Sequence, residues 1–209
     1  MYIPKLFEEN DTEILHRLIL AHPFASLITN SDDGIDANHI PFLLDRNPLP
    51  FGTLRGHIAR ANPLWREPIV GQAMVIFQGP ESYISPSWYP SKQDSGKVVP
   101  TWNYTVVHAH GKIRFIEDTK WLRDFLETLT HEHEGERSQP WRLTDAPEEY
   151  IERSLQIIVG IEFEVTRLVG KWKVSQNRPE RDKLGVIDGL LEEGKTTSSK
   201  LVKEKLAKR

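Results

Sequence analysis

Phe24-Ala-Ser-Leu-Ile-Thr29, Asn30-Ser-Asp-Asp-Gly34 and Ile35-Asp-Ala-Asn-His-Ile-Pro-Phe-Leu-Leu44 follow one another without a gap, and they decide the fold. The first segment is apolar and β-branched, the second is a cluster of turn formers, and the third is again strand-like. Together they predict a β-hairpin. Pro41 within the second strand points to an edge or a bulge, because proline has no N–H to donate to a ladder.

Upstream, Asn10 reads as an N-cap with Glu13 in the capping-box position, and Ile14, Leu15, Leu18 and Ile19 recur at helical spacing until His22-Pro23. Downstream, short strands are expected at Thr53–His57 and Ala73–Gln78, with a turn and short helix starting near Asn62-Pro63. The stretch from Gly79 to Pro100 holds Pro80, Pro86, Pro90 and Pro100 among aromatics, which predicts a long irregular segment of the kind that is functional or covered by a partner. Thr101–His108 and Lys112–Ile116 read as strands on either side of a bulge or turn at His110-Gly111. Asp118 caps a helix to about His133 with Trp121, Leu122, Phe125, Leu126 and Leu129 on one stripe, and Asp145-Ala-Pro147 opens another. Gly160–Leu168 alternates apolar and polar residues as a half-exposed strand does. Hairpins first and helices late give an α+β plan, an antiparallel β-barrel with helices packed outside.

The 209 residues can bury a full core, and six tryptophans with 38% hydrophobic residues exclude a disordered or fibrous chain. There is no cysteine, which excludes disulfides, thiolate metal sites and a cysteine nucleophile, and which suits a reducing cytoplasm. No run of about 18 apolar residues predicts a membrane span, and the N-terminus does not read as a secretory signal. Residues 195–209 carry a net charge of +5, leaving −8 on the rest. An acidic body argues against a broad nucleic-acid surface, and the basic end reads as a solvated tail. The expected organisation is one domain over residues 1–191 and a flexible basic tail over 192–209.

Leu54-Arg-Gly-His-Ile-Ala-Arg-Ala-Asn-Pro63 is the most informative motif. It gathers Arg55, His57, Arg60 and Asn62 where a strand turns into a helix start, and guanidinium forks suit a phosphate monoester. A basic surface turn with a hydrogen-bonded His57 is the alternative, and both stand open. Ala37-Asn-His-Ile-Pro-Phe42 either offers backbone groups to a flat heterocycle or is an edge strand shielded by proline. Trp102 and Trp172 each sit beside polar residues, ready either to stack on an aromatic ligand or to fill a core. His108 and His110 lie two apart on a strand, but no third ligand is evident, so no metal site is expected.

Tyr2-Ile-Pro, Asp36-Ala-Asn-His-Ile-Pro-Phe42, Arg55-Gly-His-Ile-Ala-Arg-Ala-Asn-Pro63, Phe77-Gln-Gly-Pro80, Tyr83-Ile-Ser-Pro-Ser-Trp-Tyr-Pro90, Val99-Pro-Thr-Trp-Asn-Tyr104, His108-Ala-His-Gly111 and Lys173-Val-Ser-Gln-Asn-Arg178 occur in this order. The set resembles the PaiB family of FMN-binding negative transcriptional regulators, from Met1 to about Leu191. That resemblance implies a flavin-reductase-like split barrel, a homodimer, and FMN in a cleft between subunits. By position it implies that Asn38, His39 and Ile40 lie along the isoalloxazine and that Arg55, His57, Arg60 and Asn62 gather at the phosphate. It further implies that Lys92 and Trp102 close the cleft while Lys173 and Gln176 approach from the C-terminal segment. Such a barrel is similar in architecture to the pyridoxamine-phosphate oxidases, and His57 and a lone Arg60 depart from the Ser/Thr and Arg-Lys pair usual in the phosphate-binding loop of those oxidases. A regulator is the expected function, acting on DNA directly or through flavin sensing, although no tri-helical DNA-binding motif is present. An FMN-dependent oxidoreductase acting on a small molecule is the alternative, with no residue standing out as a catalytic base.

Overall fold

A computed structural model describes residues 1–207. Lys208 and Arg209, counted in the basic tail, lie outside the described residues. In chain order the elements are β1 (Glu8–Glu9), α1 (Thr12–Ala21), β2 (Phe24–Ser31), β3 (Gly34–Pro41), β4 (Leu43–Asp45), β5 (Thr53–Ala59) and β6 (Ala73–Ile84), followed by α2 (Lys92–Ser95), β7 (Thr101–Ile116), α3 (Thr119–Glu134), α4 (Glu148–Gln156), β8 (Ile158–Lys173), α5 (Glu180–Glu192) and α6 (Thr196–Ala207). The strands form one sheet in the order β3-β2-β6-β7-β8-β5-β4, with β1 on β8. The pairs β1–β8, β2–β3, β2–β6, β4–β5 and β5–β8 are antiparallel.

The expected hairpin is β2 and β3, in register from Phe24 opposite Pro41 to Ser31 opposite Gly34. β3 is an edge, the first of the two alternatives that Pro41 left open. Several boundaries differ from the sequence reading, each for a local reason. Asp11, rather than Asn10, caps α1, its carboxylate accepting from the amides of Glu13 and Ile14. β6 runs on through Pro80 to Ile84, and β7 passes through His110-Gly111 without a break. A side chain at Gly111 would lie 2.1 Å from the Glu164 carbonyl, so close strand approach, and no turn, explains that glycine. Residues 196–207, expected as part of a flexible tail, form helix α6.

Two compact units make up the chain, one from Met1–Ala21, Gln78–Val107 and Val169 onward, the other from His22–Phe77 and His108–Leu168. In the first unit α5 and α6 pack together over Ile84, Tyr89, Val174, Val186, Ile187, Leu190 and Val202. Gly185 and Gly189 let α5 approach Trp88, since a Cβ at Gly189 would stand 2.4 Å from the indole ring. In the second unit Leu27, Leu54, Val75 and Phe163 are wholly buried, and Leu122, Leu143, Ile151 and Leu155 form a separate helical cluster. Among the described residues no helix is long and apolar enough to cross a membrane.

Candidate functional site

In the second unit, strand alternation turns Leu54, Gly56 and Ile58 of β5 inward and places Arg55 and His57 together on the other face. Helix α3 covers that face. His57 packs edge-on against Phe125 with ring centroids 5.8 Å apart, and Phe125 stacks on Trp121. Burial lowers the pKa of His57 from its usual value, so the ring stays neutral at neutral pH. Arg55 pairs with Asp45 at 3.0 Å, and its Nε stands 3.7 Å from Glu162, too far for a hydrogen bond. Glu162 also pairs with Arg114 and accepts from Trp121 Nε1 at 3.0 Å. Arg55 Nε and His57 Nδ1 are buried nitrogens with no hydrogen-bond partner. Beside them, a cleft of about 500 Å³ is lined by Leu43, Leu44, Asp124, Phe125 and Thr128, among others.

Arg60 is turned elsewhere. Its guanidinium donates to the carbonyls of Gln156 (2.8 Å) and Ile158 (3.3 Å) and pairs with Glu117, fastening the end of β5 to the start of β8. Asn62 Nδ2 donates to Asn38 Oδ1 at 2.7 Å, while its own Oδ1 caps a short turn by accepting from the Leu64 amide. Asn38 donates in turn to Asp36. His39 Nδ1 lies 3.1 Å from Ser26 Oγ, and the ring leans on exposed Phe24. Ile40 is buried, and a Cβ at Gly56 would stand 3.1 Å from it.

In the first unit, Trp102 and Lys173 come together. Lys173 Nζ donates to Thr101 Oγ1 and to the Trp102 carbonyl. Trp102 meets Tyr83 edge-on at 5.9 Å. Gln176 is turned back on its own strand, its Oε1 accepting from the Val174 amide and its Nε2 donating to the Trp172 carbonyl. Lys92 lies exposed on α2. Sequence reasoning overlooked Lys171 and Arg178. Lys171 Nζ lies 5.1 Å over the Tyr104 ring, and the Arg178 guanidinium lies 4.5 Å over that of Tyr89. The signal was available, because Lys171 and Lys173 flank Trp172 at the two-residue spacing that puts both on one strand face.

Residues 1–167 match the family described as "Putative FMN-binding domain", and the chain belongs to that family. The "Protease synthase and sporulation protein PAI 2" of Bacillus subtilis is 32% identical over 100% of this chain and 99% of its own length, as the PaiB resemblance leads one to expect. An uncharacterised protein of Emericella nidulans is 36% identical, covering 90% of each chain. The structure of the FAD- and heme-binding protein of Mycobacterium smegmatis superposes with a TM-score of 0.57 at 15% identity, over 79% of this chain and 73% of the other. The fold is therefore the expected α+β split barrel, an antiparallel sheet that does not close into a full barrel. Family membership gives FMN as the cofactor. The orphaned nitrogens of Arg55 and His57 fit a ligand rich in acceptor oxygens, as FMN is.

Proposed function

We propose that this protein holds FMN with residues of its second unit and serves as a negative regulator of transcription, acting on DNA directly or through flavin sensing. The observation that carries the cofactor half is the pair of partnerless nitrogens on one face of β5 in a chain of an FMN-binding family. In this reading Arg55 and His57 face the phosphate, and Asn38, His39 and Ile40 lie along the ring system. Asn62 orients Asn38, and Arg60 acts through the backbone it holds. FMN, when bound, supplies hydride and electron chemistry, and the chain's part is to bind and orient it. The regulatory half is supported by the full-length likeness to a relative named for protease synthesis and sporulation.

Titration with FMN and riboflavin tests the site, because the two share a ring and differ in the phosphate. Arg55→Gln or His57→Gln should weaken FMN by about 1.5–3 kcal/mol, roughly one to two orders of magnitude, and riboflavin far less. Equal losses for both ligands would remove the phosphate from this face. Direct regulation predicts duplex binding that weakens, with a flatter salt dependence, when the exposed Lys200 and Lys203 of α6 are replaced by Gln. No binding at low salt by the intact chain rules out the direct route.

A homodimer belongs to the same reading. Exposed Phe24, Ile35 and Val70 in the second unit are apolar surface that a second copy would cover. Light scattering that gives the mass of one chain at micromolar concentration would count against it. The second reading, an FMN-dependent oxidoreductase, is favoured by the uncompensated cations beside Trp102. Oxidation of NADH or NADPH by the FMN-loaded protein is its test.

A further inference from the structure

Lys171, Lys173 and Arg178 differ from most basic residues of this chain. None has a carboxylate within ion-pair distance among the described residues, whereas Arg181 pairs with Asp94 and Lys205 with Glu9 in the same unit. Their contacts are neutral instead. Lys171 Nζ donates to the Tyr2 carbonyl at 3.1 Å, Lys173 to Thr101 and the Trp102 carbonyl, and Arg178 rests on Tyr89. Lys171 and Lys173 lie two apart at the end of β8, and Arg178 stands in the turn that follows, its amide bonded to the Ser175 carbonyl. The pKa of Lys173 is lowered by burial first, then by the charges of Lys171 and Arg178. Glu81, two residues before Tyr83 on β6, is exposed and pairs with none of them.

Beside these cations stands an aromatic surface. Trp102 is 54% exposed and Tyr83 42%, although each is a large ring on a strand of the sheet. The turn after β8 is fixed by unusual means. Ser175 is buried and takes a left-handed φ of 64°, a costly conformation for a residue with a Cβ. Asn103 Nδ2 donates to Ser175 Oγ at 2.9 Å, the Gln176 amide is tied to its own strand, and the Arg178 amide donates to the Ser175 carbonyl at 3.0 Å. That bonding holds the segment between Lys173 and Arg178 in one conformation. Like charges gathered at a rigid, partly desolvated place, with bare rings alongside, are destabilising until an anion arrives.

We propose that Lys171, Lys173 and Arg178, with the Trp102–Tyr83 ring pair, form a binding site for a small planar aromatic anion, its ring on the indole and its carboxylate or phosphate against the three cations. The inference rests on the oxidoreductase reading for the ligand's role as the flavin's partner, whereas the binding itself can be measured without flavin.

Calorimetric titration of the full-length protein, FMN-free and FMN-saturated, with 2-naphthoate, 2-naphthyl phosphate, 2-naphthamide and acetate provides the test. One naphthoate or naphthyl phosphate should bind per chain in both forms, about tenfold or more tighter than the uncharged amide, with acetate weaker still. Lys173→Gln should bring the anion down to the level of the amide, and Arg178→Gln, as a second variant, should act in the same direction. Trp102→Leu should weaken anion and amide alike. Circular dichroism melting checks that each variant is folded. The proposal falls if no probe binds, if the amide binds as well as the anions, or if neither Lys173→Gln nor Arg178→Gln changes the affinity. Competition by FMN would also sink it, by giving the strip to the flavin's own site. Failure of the FMN reading is seen separately, in the riboflavin comparison with the Arg55 and His57 variants.

Discussion

Around β5 in the second unit, positive charge is met by acid. Asp45 and Glu162 flank Arg55, Glu162 also serves Arg114, and Glu117 holds Arg60. In the first unit the β8 end and its following turn leave Lys171, Lys173 and Arg178 to carbonyls, hydroxyls and ring faces. The basic residues of both regions stand in local motifs of similar composition, yet their charges do different work. The Arg60 guanidinium, neutralised by Glu117, holds strands together, and that of Arg55, although paired with Asp45, keeps its Nε for a ligand, whereas an uncompensated ammonium in a partly buried place adds repulsion that a ligand can relieve. The two regions are also held differently. Carboxylates knit the second, and close packing of Trp88 against Gly185 and Gly189 knits the α5 region of the first.

The largest effect expected from breaking this contrast is at Glu162. Its carboxylate serves Arg55, Arg114 and Trp121 Nε1 together, and its side chain is mostly buried. Glu162→Ala should cost about 2–3 kcal/mol, read as a lower denaturant midpoint, because the Arg114 guanidinium and the Trp121 indole N–H lose their shared acceptor and Arg55 loses a nearby countercharge. Lys173→Met in the first unit should change the midpoint by less than about 0.5 kcal/mol, or raise it, because it removes a repelled charge. Equal losses for the two substitutions would end the contrast between structural and ligand-directed charge.

The next effect tests packing in the first unit. Alanine is the better helix former by about 1 kcal/mol at an ordinary helix position. At Gly189, however, the new Cβ would sit 2.4 Å from the ring of Trp88, so the helix or the indole must move. Gly189→Ala should therefore destabilise by about 1–2 kcal/mol net, the overpacking cost exceeding the propensity gain. A stabilised variant would mean that Trp88 yields freely and that packing does not fix this region.

Much of this architecture is legible in the sequence because the second unit's elements announce themselves locally. Hairpin β2–β3 shows its turn formers, and α3 shows both Asp118 as its cap, accepting from the Trp121 amide at 2.7 Å, and its apolar stripe. Helix α6 does not. Two of its inward positions are Ser198 and Ser199, which bond Ser82 Oγ and the Ile187 carbonyl, so the apolar period is broken where the helix is most buried. The lysines around them then dominate the reading, and a docked helix looks like a tail. The β5 motif hid its meaning for a different reason. Arg55, His57 and Arg60 are adjacent in sequence, but the acids that neutralise the arginines come from Asp45, Glu117 and Glu162, up to about a hundred residues away, and no local pattern reports them. Trp102 and Lys173 show the converse. They are 71 residues apart and meet only because β7 and β8 are neighbours in the sheet.

One place in the second unit resembles the first in setting titratable bases beside one another, and it gives the smallest effect. His108 and His110 project from β7 with ring centroids 6.4 Å apart. The pKa of His108 is lowered from 6.5 to about 4, chiefly by burial and also by His110 and Arg167. A base whose folded pKa lies below its unfolded value binds fewer protons when folded throughout the interval between them. Stability from this group is thus fully present above pH about 6.5 and is lost as the pH falls toward about 4. The ring is only half buried, so solvent screening should hold the loss below about 1 kcal/mol. His108→Gln keeps a polar side chain of similar reach without the titration. Denaturant midpoints measured from pH 7 to pH 4 should therefore fall less steeply for the variant than for the parent, the two curves parting below pH 6.5. Parallel curves would show that His108 protonates as easily in the folded chain as in the unfolded one. The repulsion from His110 and Arg167 would then be fully screened, and uncompensated charge in the second unit would carry no cost of the kind ascribed to Lys173 in the first.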